Sequence, residues 1–448
     1  MNTKRVFSIL SCILIISVLL SACGAAATPA PADTQAPAAP AATAAPAKQG
    51  VTLNILVEGG GHSLQQAIAD KFTAQTGNKV NFIEVPYQEV YDKLVAEMAA
   101  GGSSYDVATV DVIWLPALAK FATPLDDLFT ADVKKDLFPS LISDAQNGGH
   151  FIGMPQWANA EVLFYQKPLF EDAKNQADFK AKYGYDLKVP TNWKEFANVA
   201  QFFTRKDASG QVTLYGADVK TKNPEEWEAL VLQAGSKGVV YDAQGNLIID
   251  NQAHVDALQY YEDLHCKYNV TPTNVNELDW GASQQLFFNG KLAMELFWGH
   301  NYRSIPKDSV VYGKTGVAPM IAGAGGAGAI PGPWFNIIPT TSKNADVAKQ
   351  YIQFAYDNNA LGIEAPLGLA ARISAYQSYE DKPGFEHFKA LVDTLNAPQT
   401  MGRPMVTNWN EITNEVLVPL VQKALACDGS KPIDLLTQAK AQIEALPK

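Results

Sequence analysis

The stretch from Val51 to Phe121 restricts the fold more than any other. Apolar residues cluster in Val51–Glu58, alternate through Lys79–Val85 and recur in Asp106–Asp111, and each run has strand length. Two helical patterns lie between them. Leu64, Ile68 and Phe72 repeat every four residues after Ser63, a suitable N-cap, and Gly77-Asn78 ends the run. Gln88–Ala100 places Val90, Leu94 and Val95 inward and stops at Gly101-Gly102, and Leu115–Phe121 is predicted to be a further helix opening near Pro116. Strand-helix-strand-helix-strand with short joins requires a parallel sheet with right-handed crossovers. Ligands of such sheets sit beyond the carboxyl ends of the strands. Those ends carry Glu58, Tyr87 and Asp111, which are also ordinary cap and turn residues.

At 448 residues the chain exceeds one ordinary core, so two lobes are expected. A net charge of −11 argues against nucleic acid or an anionic membrane surface as partner. The N-terminus is more specific. Lys4-Arg5 precede an apolar run from Val6 to Leu20 that ends in Leu20-Ser21-Ala22-Cys23, the pattern of a secretory signal over residues 1–22. The run is too short for a comfortable transmembrane span, and its ending resembles a lipobox, with Cys23 as the lipidated residue. From Gly24 to Gln49 the chain is almost wholly Ala, Pro and Thr. It cannot bury enough surface to offset its ordering entropy, so residues 23–50 are expected to tether a globular part that starts at Val51.

A second informative stretch runs from Gly148 to Asp172. Pro155 cannot donate to a central ladder, so it belongs at a strand end or an irregular crossing. Trp157, Asn159 and Glu161 follow at alternate positions, and in an extended chain they share one face. The set suits either the wall of a binding cleft or an edge strand with a surface Trp. Farther on, Trp193 and Trp227 sit within helical patterns and are expected to pack in the core. Gly323, Gly325 and Gly328 satisfy a dinucleotide-type glycine spacing, but the following Ala329-Ile330-Pro331-Gly332-Pro333 forbids the helix that such a site needs.

The sequence holds no motif of zinc, acyl-transfer or nucleotide chemistry, so no cofactor and no metal are expected, and an enzyme is disfavoured. Paired carboxylates for glycoside hydrolysis are set by space rather than by spacing and stay open. Cys12 leaves with the signal, so Cys266 and Cys427 remain beside Cys23; a disulfide and two separately buried thiols are both compatible with them.

Several runs resemble one family. Gly-x-Pro, a short aromatic-polar run and Leu163-Phe164-Tyr165-Gln166-Lys167-x-Leu169-Phe170 look like the first inter-lobe crossover of the solute-binding proteins of bacterial ABC importers. The likeness is to their sugar-binding cluster, which includes maltose and trehalose receptors. Phe287-x-x-Gly290-Lys291-x-Ala293-Met294 followed by Trp298, Trp334 after a Gly/Pro loop, and Arg403-Pro404 with Trp409 resemble further runs of that cluster. The sequence departs from the cluster's usual residues at Asn159, Glu161 and Gln166. The resemblance implies an α/β fold of two lobes, the type II periplasmic-binding-protein fold, each a mostly parallel sheet flanked by helices. It places residues 51–160 and 301–345 in the N-terminal lobe, and 161–300 and 346–448 in the C-terminal lobe. Glu58, Tyr87, Asp111, Trp157, Asn159, Trp298, Trp334, Arg403 and Trp409 are then the expected ligand contacts. The implied protein is a monomeric lipoprotein that captures a carbohydrate and delivers it to a permease. A receptor for a polyol or other small solute, a secreted carbohydrate-active enzyme and a structural surface lipoprotein are the alternatives.

Overall fold

The computed structural model describes residues 50–447. The expected signal sequence, Cys23 and the Ala/Pro-rich stretch lie outside the described residues. The expected alternation forms: β1 (Thr52–Glu58), α1 (Gln66–Thr76), β2 (Lys79–Val85), α2 (Tyr87–Ala99) and β3 (Val107–Asp111). β1 pairs in parallel with both β2 and β3. Ser63 does not cap α1. Gly60 adopts φ 86°, a 3-10 turn follows over Gly61–Leu64, and the Ser63 hydroxyl donates to the Gly60 carbonyl at 2.7 Å. A left-handed residue is what glycine supplies at low cost, and it delays the helix to Gln66.

Two later strands complete the first sheet, β4 (Met154–Trp157) and a strand over Trp334–Ile337. The latter lies between β3 and β4 and is antiparallel to both. β4 is therefore an edge, which is where Pro155 is tolerated, and the register shifts beside it. A buried polar chain crosses this sheet. Gln65 donates to Thr109 (2.9 Å), Thr109 to Asn336 (2.7 Å), and Asn336 to Gln156 (2.8 Å). Satisfied networks of this kind hold register, because any slip strands a buried polar group.

The second sheet holds β5 (Glu161–Gln166) between β6 (Met294–Trp298) and β7 (Thr315–Ala318), and both of its ladders are antiparallel. A mostly parallel sheet was expected here. β5 starts opposite Trp298, the end of β6, so the strand leaving this edge and the strand returning to it run in opposite directions. The strand over Trp334–Ile337 is β8. Residues 301–345 are thus divided: β7 belongs to the second sheet and β8 to the first. The helix Ala345–Asp357 then packs on the first sheet, with Tyr351 and Phe354 edge-on to Phe72 of α1 at 5.3 Å. The chain crosses between sheets within 319–333, later than the expected boundary at 300.

Both sheets have apolar interiors, with Leu53, Ile55 and Leu56 of β1 and Val162, Leu163 and Phe164 of β5 fully buried. Trp227 is fully buried, as expected of a core residue. Cys266 and Cys427 form a disulfide across 161 residues, which resolves the two alternatives and ties the C-terminal helices to the second lobe. Among the described residues no helix is long and apolar enough to cross a membrane.

Candidate functional site

The carboxyl ends of β1 and β3 and the amino end of the antiparallel β8 meet at one edge of the first sheet. There Trp334 pairs with Asp111 on one side and with Trp157 on the other. The Trp157 and Trp334 rings stack at 5.4 Å and 25°. Trp114 and Tyr87 close the group, their centroids 5.6 and 5.9 Å from Trp334. Offset and edge-on contacts of this kind are each worth about 0.5–1.5 kcal/mol beyond burial. Trp157 and Trp334 are buried, whereas Tyr87 keeps 36 % of its surface exposed. The Tyr87 hydroxyl nevertheless donates to Asp111 Oδ2 at 3.1 Å, and burial followed by the Asp111 charge pushes the phenol well up.

Asp111 fills the cap role that its sequence position allowed and also bonds Tyr87. Its Oδ1 caps the following 3-10 turn by accepting from the Ile113 amide at 3.2 Å, and its Oδ2 takes the Tyr87 bond. Burial raises its pKa, and Arg403 opposes the shift. Glu58, at the end of β1, is pushed up to about 8 by burial and then by the Asp111 charge.

The second lobe brings Glu225 and Glu228 on the helix Glu225–Gln233. Both are buried, and the Glu225 Oε1 lies 3.6 Å from Arg403 Nη1. Arg403 Nη2 also reaches the Pro331 carbonyl at 3.5 Å, so one guanidinium links the second lobe to the strap before β8. Its charge is felt by Asp111 and by Asp144, whose pKa burial raises to about 7. Glu228 is raised to about 8 by burial and then by Glu225. Neither acid was singled out in the sequence. Three acids in the first turn of a helix read as ordinary complements to its dipole, and only their burial gives them another meaning.

Trp157, Asn159 and Glu161 do not share a face, because residues 158–160 leave the strand geometry between β4 and β5. Trp157 joins the ring group. Asn159 Nδ2 lies 2.7 Å from His300 Nδ1, and its Oδ1 has no partner among the described residues. Burial drops His300 to about 4, so its ring is neutral and accepts from Asn159. Glu161 faces a buried ionic group in the second lobe. Lys220 Nζ lies 2.8 Å from Glu226 and 3.3 Å from Asp218, and Ser283 bridges Asp218 and Glu295. Burial raises the Glu161 pKa strongly, and both its oxygens lack partners among the described residues.

Trp298 ends β6, edge-on to Trp280 at 5.8 Å. A Cβ on Gly332 would lie 2.9 Å from its ring, so only glycine lets the strap before Trp334 pass so close. Trp409 stands apart. It is 2 % exposed on a short helix, and no ring among the described residues pairs with it. It is as buried as Trp157, and no ring contact joins it to the Trp157–Trp334 group.

Stacked aromatic faces beside carboxylates, an amide and a guanidinium, drawn from both lobes, are suited to recognising a small hydroxylated solute. Comparison with known proteins agrees at the level of family. The model of the bacterial extracellular solute-binding proteins matches residues 57–360. The chain belongs to this family. It is therefore a solute-binding protein of an ABC transporter, acting outside the cytoplasm, in a family of binding proteins rather than of enzymes. A probable ABC transporter-binding protein of Deinococcus radiodurans is 27% identical over 299 residues, 64% of this chain and 67% of that one. Among solved structures, maltose-bound MalE3 of T. maritima aligns with a TM-score of 0.69 at 24% identity, covering 88% of this chain and 99% of that one. A ribitol-bound solute-binding protein of Agrobacterium radiobacter aligns at 0.66 with 22% identity, covering 88% and 98%. These likenesses establish the two-lobed type II fold.

Proposed function

We propose that this solute-binding protein is a lipid-anchored receptor for a carbohydrate, a mono- or oligosaccharide, or for a polyol, which it holds between its lobes and delivers to a membrane permease. The observation that carries the reading is the stacked Trp157–Trp334 pair set beside the Asp111–Tyr87 bond and the Arg403–Glu225 pair. Indole faces complement the C–H surfaces of a sugar ring, and the charged and amide groups meet hydroxyls whose burial is costly without partners. Trp157, Trp334 and Trp298 supply the faces. Glu58, Tyr87, Asp111, Asn159 and Arg403 supply the polar contacts, joined by Glu225, while Trp409 supports the core. The lobes consist of about 51–157 with the β8 region and the helix Ala345–Asp357, and of about 161–331 with the C-terminal helices. A solute that touches both favours the closed form by its differential affinity, and no bond is made or broken.

Cys23 supplies the anchor in this account, and Cys23→Ser should free the protein from membranes washed in high salt. Native mass spectrometry of the purified full chain tests the binding function. A carried-over solute of carbohydrate or polyol mass supports it, and turnover of that solute would replace it with an enzyme.

A further inference from the structure

The site gathers more buried carboxyl groups than a neutral sugar needs as hydrogen-bond partners. Glu58 and Asp111 come from the first sheet, Asp144 from the helix before β4, and Glu225 and Glu228 from the second lobe. Arg403 acts on Asp111, Asp144, Glu225 and Glu228, Lys220 also reaches Glu225, and Glu58 faces Asp111. Asp111, Asp144, Glu225 and Glu228 are each more than nine-tenths buried. Asp144 Oδ2, Glu225 Oε2 and Glu228 Oε2 have no hydrogen-bond partner among the described residues, and neither has Arg403 Nε. A buried carboxylate without a partner is strongly unfavourable unless it gains a proton or a counter-charge.

Two ligand chemistries could relieve this. A hydroxyl donates one hydrogen bond and cancels no charge. A protonated amine donates three and cancels one. It is also attracted to indole faces, and the stacked Trp157–Trp334 pair provides them at this edge.

We propose that the cleft takes a hydroxylated solute carrying a protonated amine, an amino sugar or amino polyol, with Glu225 and Glu228 of one lobe and Glu58 and Asp111 of the other as its counter-charges. The inference rests on the reading of the cleft as a carbohydrate or polyol site and adds the charge of the ligand to it. Proton linkage gives it a signature. Glu58, which faces Asp111, and Glu228, which faces Glu225 and Arg403, are both raised to about 8 by burial and then by the neighbouring acid. At pH 7 both are therefore largely protonated. An ammonium beside them lowers both pKa values, so its binding expels protons and tightens as pH rises from 6 to 8.

The test is calorimetry on the purified full chain with matched pairs: D-glucamine with D-glucitol, D-glucosamine with D-glucose, and the chitosan disaccharide with cellobiose. In at least one pair the amine should bind tenfold tighter or better. Its heat at pH 7 should depend on the buffer in the sense of proton release. Glu225→Gln with Glu228→Gln should cut the amine-to-neutral ratio at least fivefold. Should that variant not fold, the pairs and the proton count on the native chain still decide. Neutral members that bind as tightly as their amines in every pair, or amine binding without proton release, overturn the inference and leave the carbohydrate receptor standing. If no member of any pair binds, the inference falls, and the solute found by native mass spectrometry still decides the receptor reading.

Discussion

Trp334→Ala tests how the ring group is held. Trp334 is 7 % exposed and meets Trp157, Trp114 and Tyr87 at centroid distances of 5.4, 5.6 and 5.9 Å. A Trp buries up to roughly 250 Å², which at ~25 cal/mol per Å² is about 6 kcal/mol of transfer. Alanine keeps a share of that and the site relaxes in part, so measured losses for Phe or Trp to Ala are ~3–5 kcal/mol. All three partners belong to the first lobe, so the loss should appear without ligand. Equilibrium urea unfolding of the ligand-free protein should show it as a lower midpoint at unchanged slope. Affinity for the solute should also fall by about 2 kcal/mol or more, the size for a buried aromatic anchor. The two losses differ in origin: Trp334→Phe should recover much of the stability and less of the affinity, because a smaller ring offers less face to a sugar. A stability loss below about 1 kcal/mol would refute the packing argument. A full stability loss with affinity intact would move the ligand wall elsewhere.

Lys220→Met should destabilise the ligand-free protein by about 3–5 kcal/mol, because it leaves buried Asp218 and Glu226 without their cation; an unfolding midpoint that does not move contradicts the ionic role. Replacing Cys266 and Cys427 together by Ser releases a closure of 161 residues and should lower stability by about 2–5 kcal/mol in denaturant titrations. The melting temperature of the ligand-free protein should fall between pH 6.5 and 8.5. Glu58, Glu228 and Glu295 are held at about 8 when folded and near the ordinary glutamate value when unfolded, so their stabilisation is present below the unfolded pKa and is lost as pH rises through the folded one. The buried His254, His300 and His387, at about 4, 4 and 3, are neutral when folded, and their opposing unfolded-state titration near 6.5 is nearly complete by about pH 7.5, so the fall is clearest above that pH. A melting temperature that rises over that window contradicts the burial of these acids.

The sheet edge was legible because period-2 and period-3.6 patterns place Glu58, Tyr87 and Asp111 at strand ends without knowledge of the rest of the chain. The missing N–H of Pro155 points to a strand end or an irregular crossing, and the fold places it within an edge strand instead. Long-range pairings leave no such local mark. That β7 joins β5 while β8 inserts between β3 and β4 depends on a chain crossing, and strand propensity is blind to partner and direction. Glu225 and Glu228 were hidden for a related reason, since acids at a helix start look solvated until another lobe covers them. Trp409 shows the converse. An aromatic beside Arg403 in a recurring pattern carries no information about which way its ring turns, and the fold buries it.

The most direct test of the central claim is small-angle scattering of the full chain with and without the tightest binder among the sugars and polyols described above, with the solute recovered afterwards for its mass. The account predicts a smaller radius of gyration on binding and a solute recovered unaltered. A stabilising ligand that leaves the scattering profile unchanged, or a solute recovered as fragments, would contradict it.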